Sequence, residues 1–177
     1  MKTACFTGHR KLKGKYDGED WDRLTEFMER EVFPVLIERY KITNFISGMA
    51  TGFDMLAAEM VIRQRHKYNF HISLEAAIPY KNQYQIWPKT QQMRYHTILK
   101  VCDNVNILYG DKHVSWKLQK RNEYMVDNSD FLIAMWDGTE HGGTYNCFKY
   151  AEKIRRPTFR IEPFSLWWTN LSWVLSM

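Results

Sequence analysis

Residues 45–60 read FISGMATGFDMLAAEM, and the reading of this stretch decides the fold. Phe45 and Ile46 belong to an apolar run over 42–47 that breaks at Gly48. Gly52 follows four residues later, then Asp54, then an alanine-rich segment with helical spacing to about Lys67. Strand, glycine turn and helix in that order form one half of a βαβ unit. Such a turn lets backbone N–H groups approach an anion at the positive end of a helix. Ser47, Gly48 and Gly52 would allow the close approach, and Asp54 would cap the helix or reach a hydroxyl. The stretch has neither the GK[ST] of a P-loop nor a GxGxxG. By itself it is equally a tight turn.

The same alternation extends outward. Lys2 to Thr7 is a first strand that ends at Gly8. Apolar residues from Trp21 to Tyr40 recur at helical spacing, and Pro34 should kink or split that helix. Strands are expected over 70–79, 105–109, 131–136 and 158–161. Helices are expected over 87–102, 115–130, with Ser115 as N-cap, and 142–154. The run FLIAMW at 131–136 is continuously apolar, as a strand buried on both faces must be. Strands alternating with helices predict one α/β domain over 1–177, a doubly wound, mainly parallel sheet with helices on both faces. Ligands bind such sheets outside the carboxyl ends of the strands. Every glycine break (Gly8, Gly48 with Gly52, Gly138, Gly142 with Gly143) falls at that edge.

Three segments there are candidates for anion binding; each alone is equally a solvated loop, and their meeting at one sheet edge favours the binding reading. Thr7, Gly8, His9 and Arg10 follow the first strand and offer a hydroxyl, a close approach and a guanidinium fork. Ser47, Gly48, Gly52 and Asp54 form the second segment. Gly142, Gly143 and Thr144 open the last helix and form the third. Tyr80 and Trp87, in the loop after strand three, are aromatic candidates for stacking on a base, or for plain loop packing.

Composition narrows the function classes. The chain has 177 residues, 45% of them hydrophobic and 15% aromatic, enough for a folded core. The formal net charge is +5, which favours anionic partners. Cys5, Cys102 and Cys147 show no CxxC spacing, so neither a disulfide framework nor a zinc site is expected, and a reducing cytoplasm is the simplest location. The six histidines show no HxxxH or HExxH spacing, and no metal or cofactor is expected. No stretch of about 18 apolar residues suggests a membrane span, and the N-terminus lacks the apolar core of a signal peptide. The Trp-rich tail at about 163–177 is expected to pack back on its own domain, with a subunit interface as the alternative.

FTGHR, SGMATGFDMLAAE, IPYKNQYQIW and the stretch from Gln119 to Lys153 together resemble the motifs of the SLOG superfamily, which includes LOG and DprA proteins. The resemblance is nearest to its YpsA-like branch and covers roughly Lys2 to Ile161. It implies a Rossmann-like domain that binds nucleotides or nucleotide-derived ligands, often as a dimer or larger homo-oligomer. LOG enzymes split an N-glycosidic bond and carry an Arg on the fourth helix and PGGxGTxxE after the fifth strand. Arg121 and its neighbour Asn122 fall at the helix position, and Gly143 and Thr144 match the GT. The PGG is not kept, and Cys147 stands where the catalytic glutamate would be. Losing that carboxylate removes the group expected to stabilise an oxocarbenium charge or activate water.

The leading expectation is therefore a sensor or sequestering protein for a phosphate-containing nucleotide-derived ligand, ADP-ribose-like or cyclic-nucleotide-like. The alternatives are an N-glycosidic hydrolase using Asp54, Glu59, Glu75 or Glu123, and DprA-like binding of single-stranded DNA, with nucleic acid ranked behind the small molecule. Arg10→Ala and Arg121→Ala are both expected to abolish ligand binding without unfolding the protein.

Overall fold

The computed structural model describes residues 1–12, 17–69 and 71–169, with the backbone alone at 17–19. Six strands form one parallel sheet: β1 (Lys2–Gly8), β2 (Ile42–Ser47), β3 (Ser73–Ile78), β4 (Asn104–Ile107), β5 (Phe131–Met135) and β6 (Thr158–Ile161). Their order across the sheet is β4-β3-β2-β1-β5-β6. From β1 the chain steps outward through β2, β3 and β4, then returns to the other side of β1 for β5 and β6. The direction of winding therefore reverses between β1 and β5. A crevice opens at the carboxyl edge of two such neighbours, because their following connections leave toward opposite faces.

Helices α1 (Asp17–Phe27), α2 (Phe53–Lys67), α3 (Lys89–Leu99), α4 (Ser115–Asp127) and α5 (Gly142–Lys153) join the strands. Two cores lie on opposite faces. One joins alternate β1 residues Ala4 and Phe6 to α2; the other joins Cys5 to Met125 of α4 and Cys147 of α5. This alternation is the period of a strand buried on both sides. The Phe6 ring stacks on Phe45 with centroids 5.6 Å apart and meets Phe53 edge-on at 6.1 Å. Each such pair adds about 0.5–1.5 kcal/mol beyond its burial. Phe53 opens α2, so this packing also seats the helix start that follows Gly52.

Element bounds differ from the sequence reading mainly at the ends. α1 passes into two π-helical turns, Met28–Val32 and Val35–Arg39, on either side of Pro34. Proline has no N–H to donate, and the chain accommodates it by widening rather than by stopping. The Tyr40 N–H reaches back five residues to the Val35 carbonyl at 3.2 Å. Ser115 is the first residue of α4 rather than its cap; Val114 precedes it in extended conformation, with no side-chain capping bond. The expected third strand began at Phe70, which lies outside the described residues; the strand runs from Ser73.

The described part of the tail folds back on β6. Trp168 pairs antiparallel with Ile161 and packs on Phe159 at 5.9 Å. Leu171, Trp173, Val174 and Leu175 lie outside the described residues. Among the described residues no helix is long and apolar enough to cross a membrane.

Candidate functional site

A cavity of about 370 Å³ opens at the carboxyl ends of β1 and β5, where the winding reverses. Thr7, Gly8, His9 and Arg10 enter it from the end of β1; Gly142, Gly143 and Thr144 from the start of α5; Arg121 and Asn122 from α4; Asp54 from α2. Lys11, Asp137, Thr139 and His141 complete its polar lining. Among the described residues no phenylalanine, tyrosine or tryptophan lines it.

Of the residues singled out in the sequence, five sit elsewhere. Ser47 is buried under the turn: its hydroxyl donates to the Asp54 carbonyl at 2.8 Å and accepts the Met49 N–H at 3.1 Å. Gly48 and Tyr80 line neither this cavity nor its neighbour. Tyr80 packs edge-on against His113 at 5.3 Å. Gly52 and Trp87 line a second cavity, which shares Arg10 and Lys11 with the first.

The space beside each glycine separates two kinds. A side chain at Gly48 would meet Arg121 Cζ at 2.5 Å and Asp54 Oδ2 at 2.8 Å. One at Gly52 would meet the Arg10 backbone at 2.5 Å, and Gly52 has φ +85°. The Phe53 ring fills the equivalent space at Gly8. At Gly142 and Gly143 no atom of the described residues lies within 4 Å of that space. The turn of the 45–60 stretch is thus packed by the protein's own atoms, while the start of α5 faces open space.

Arg121 explains much of that packing. It is only 5% exposed, and its Nη1 donates to the Gly48 carbonyl. Its Nε donates to Asn122 Oδ1 at 3.0 Å, and Asn122 Nδ2 donates to the Gly143 carbonyl at 3.4 Å. One α4 side-chain pair thereby ties the β2 turn to the start of α5. Asp54 does not cap α2; Gly52 occupies the cap position. The Asp54 carboxylate turns back to accept from the Ala50 N–H. Burial pushes its pKa up to about 6, against the opposing pull of Arg121, the Ala50 bond and Arg10. Burial likewise lowers Arg121 from its usual value, with Asp54 opposing.

Asp137, which sequence reasoning passed over, is the second carboxylate in the cavity. Its signal was its place just past the fully buried strand β5. Asp137 Oδ1 lies 2.9 Å from His9 Nε2 and accepts the Thr139 N–H at 2.9 Å. Burial works to raise its pKa, but the Thr139 bonds and His9 outweigh burial and hold it below the usual range. The other carboxylates considered lie outside the cavity lining. Glu59 forms a two-pronged pair with Arg94, Glu75 accepts from Tyr124 and Asn106, and Glu123 pairs with Lys120. Cys147 is fully buried beside Thr7, and burial pushes its thiol up to about 12. A thiol so held is neither a nucleophile nor a stand-in for a carboxylate. Among the described residues no three His, Cys, Asp or Glu side chains cluster as metal ligands.

The Asp54 shift has a pH consequence. Its ordinary value is 3.8, so between that value and about 6 the folded chain keeps a proton that the unfolded chain releases. The stability associated with Asp54 is complete below the lower value and falls as pH rises through the window. Urea midpoints of wild type and Asp54→Asn should therefore shift against each other across that window. A constant difference between the two proteins would remove the raised pKa.

The YpsA family model, described as the YspA SLOG family, matches residues 4–164. The SPbeta prophage-derived protein YoqJ of Bacillus subtilis (strain 168) is 37% identical over 147 residues, covering 75% of this chain and 84% of YoqJ. A UPF0398 protein of Brevibacillus brevis is 28% identical over 148 residues, covering 81% of this chain and 73% of its own. Among solved structures, DNA processing protein A (DprA) from Streptococcus pneumoniae aligns with a TM-score of 0.58 at 13% identity, over 93% of this chain and 53% of that one. DprA from Helicobacter pylori, whose structure concerns a single-stranded DNA binding mode, aligns at 0.60 and 16%, over 91% and 65%. The chain thus spans between half and two thirds of those DprA chains, which share its fold. With the family model covering most of the chain and YoqJ matched over most of its length, the protein belongs to the YpsA (YspA SLOG) family.

Proposed function

We propose that the cavity between β1 and β5 holds the sugar-phosphate part of a nucleotide-derived ligand, and that the protein acts as a sensor or sequestering protein. The observation that carries this reading is the start of α5. Gly142 and Gly143 leave open space at a helix N-terminus, inside a cavity rimmed by Arg10, Lys11 and His141. Unpaired first-turn N–H groups and the helix dipole suit a phosphate there. Asp54 and Thr7 suit ribose hydroxyls.

A thermal-shift panel of nucleotides, cyclic nucleotides and ADP-ribose derivatives tests it. A specific ligand at a hundredfold excess over Kd stabilises the fold by roughly 2.7 kcal/mol. Arg10 is exposed, so Arg10→Ala should leave the unliganded melting temperature unchanged while weakening binding about tenfold to a hundredfold. An unchanged affinity in that variant would remove Arg10 from the site. A single-stranded oligonucleotide belongs in the panel, because the fold is shared with DprA. Binding to it should fall steeply with salt if phosphates dominate.

Asp54 and Asp137 favour hydrolysis as the second reading. Their environments push two carboxyl groups of one cavity apart in pKa, the pattern of an acid and a base. In an N-glycosidic hydrolysis, protonated Asp54 would deliver its proton to the leaving base as the bond to C1′ breaks. Asp137 would take a proton from the water that adds to C1′. Chromatography after incubation with nucleoside monophosphates decides between binding and cutting. Free base together with ribose phosphate, lost in Asp54→Asn, establishes the hydrolase; unaltered nucleotide leaves the binding protein.

A further inference from the structure

We infer that the second cavity, beyond Arg10 and Lys11, is a ring-stacking subsite for the nucleobase of the same ligand, joined to the sugar-phosphate end by an anionic linker that crosses those two cations. This rests on the sugar-phosphate reading of the first cavity and names the class of ligand: a base and a sugar connected through phosphates, with the layout of a nucleoside diphosphate sugar.

Four observations carry it. Among the described residues no phenylalanine, tyrosine or tryptophan lines the first cavity, so the only rings it offers a base are the small imidazoles of His9 and His141. The second, about 520 Å³, has Trp21, Trp87, Leu56, Ile86 and Pro88 in its lining, so two indole rings stand among apolar side chains there. Both volumes fall in the range of about 300–1,000 Å³ usual for ligand sites. Arg10 and Lys11 line both cavities, which puts positive charge at the junction where a linker must pass. The remaining cation of the second cavity, Arg94, is already neutralised by Glu59 through bonds of 2.6 and 2.7 Å. Finally, Ile86 is 86% exposed at the rim of this cavity, where a bound ring would cover it. Trp87 is fixed in position at this wall, where its ring meets Tyr95 edge-on at 5.5 Å and Gln92 donates to its backbone carbonyl at 2.9 Å.

Isothermal titration of the full chain with ADP-ribose, AMP, ribose 5-phosphate and a short single-stranded oligonucleotide tests the assignment. ADP-ribose should bind about tenfold to a hundredfold tighter than ribose 5-phosphate, the worth of one stacked base. Trp87→Ala should erase that gain and leave ribose 5-phosphate affinity unchanged, while Trp87→Phe keeps part of the gain. Circular dichroism and melting of both variants report whether Tyr95 packing survives. If Trp87→Ala is unfolded, Trp87→Phe and Trp21→Ala supply the comparison. The inference falls if ADP-ribose binds no tighter than ribose 5-phosphate, or if the tryptophan variants weaken both ligands by the same factor; in either case the sugar-phosphate reading still stands. A gain shown by the oligonucleotide alone overturns it in favour of a nucleic acid strand. If wild type binds none of the phosphates, the reading of the first cavity falls and takes this one with it.

Discussion

Arg121→Ala is expected to destabilise the folded protein by about 3–5 kcal/mol, the usual effect of removing one partner from a buried charged network. The guanidinium is buried, donates to the Gly48 carbonyl and to Asn122, and is the leading counter-charge of Asp54. Its removal leaves the Gly48 carbonyl without this donor and the buried Asp54 carboxylate without its leading counter-charge. Asp54 can respond by binding a proton, which softens the loss at acid pH but not at pH 8 or so. For a chain of this length the change corresponds to a fall in melting temperature of roughly 6–20 °C. Arg121→Lys should recover little, because one ammonium cannot reproduce the fork that reaches Gly48 and Asn122 together. Urea unfolding is the measurement, and an Arg121→Ala unfolding free energy within about 0.5 kcal/mol of wild type would show the network to be dispensable. By sequence alone, Arg10→Ala and Arg121→Ala are expected to behave alike. Their burial separates them: one is exposed at the cavity rim, the other holds the turn beneath it.

This difference marks how far the sequence could be read. Strand and helix order follows from periods of two and 3.6 residues, which are local, and so do the glycine breaks at the strand ends. The parallel sheet follows from the alternation, because parallel neighbours need a crossover between them. What fills the space beside a glycine is not local. The nearest atoms against Gly48 come from Arg121, 73 residues later in the chain, whereas Gly143 looks the same in sequence and faces open space. Spacing alone therefore draws Gly48 and Gly52 into the anion site together with Gly142 and Gly143.

Trp87 illustrates the same limit with a different outcome. Its loop follows β3, two strands from the winding reversal, so its ring reaches the far side of Arg10 and Lys11. Its aromatic character was legible; which of two adjoining cavities it lines was not. Asp137 escapes a sequence reading because an acid just after a strand is common in loops, where it accepts a nearby N–H as it does from Thr139; its second partner, His9, arrives from the end of β1 at the other end of the chain. Pro34 reads locally as a break in a helix. The two π-helical turns around it depend on burying Met28, Val32, Leu36 and Ile37 against the sheet, a demand of packing that local spacing does not record.

Gly52→Ala is the second large effect, about 2–4 kcal/mol, and it returns to the turn of residues 45–60. Gly52 has φ +85° and ψ −128°, a region that a Cβ makes unfavourable by itself. The added methyl would also sit 2.5 Å from Arg10 Cα and carbonyl oxygen, and backbone cannot rotate aside as a side chain can. The Phe53 N–H bond to the His9 carbonyl at 3.1 Å ties the same two segments together, so relief by separation breaks it. Arg10 would shift with its backbone, and both cavities share it. Gly52→Ala should therefore lower the urea midpoint and weaken phosphate ligands at once. Gly143→Ala should do only the second: its new methyl meets no atom of the described residues within 4 Å and projects into space that the proposed phosphate would fill. If Gly143→Ala binds ligand as wild type does, the start of α5 is not the phosphate site. If Gly52→Ala is as stable as wild type, the turn is looser than its packing implies. Run together, the two variants separate the glycines that close the fold from those that leave room for a ligand.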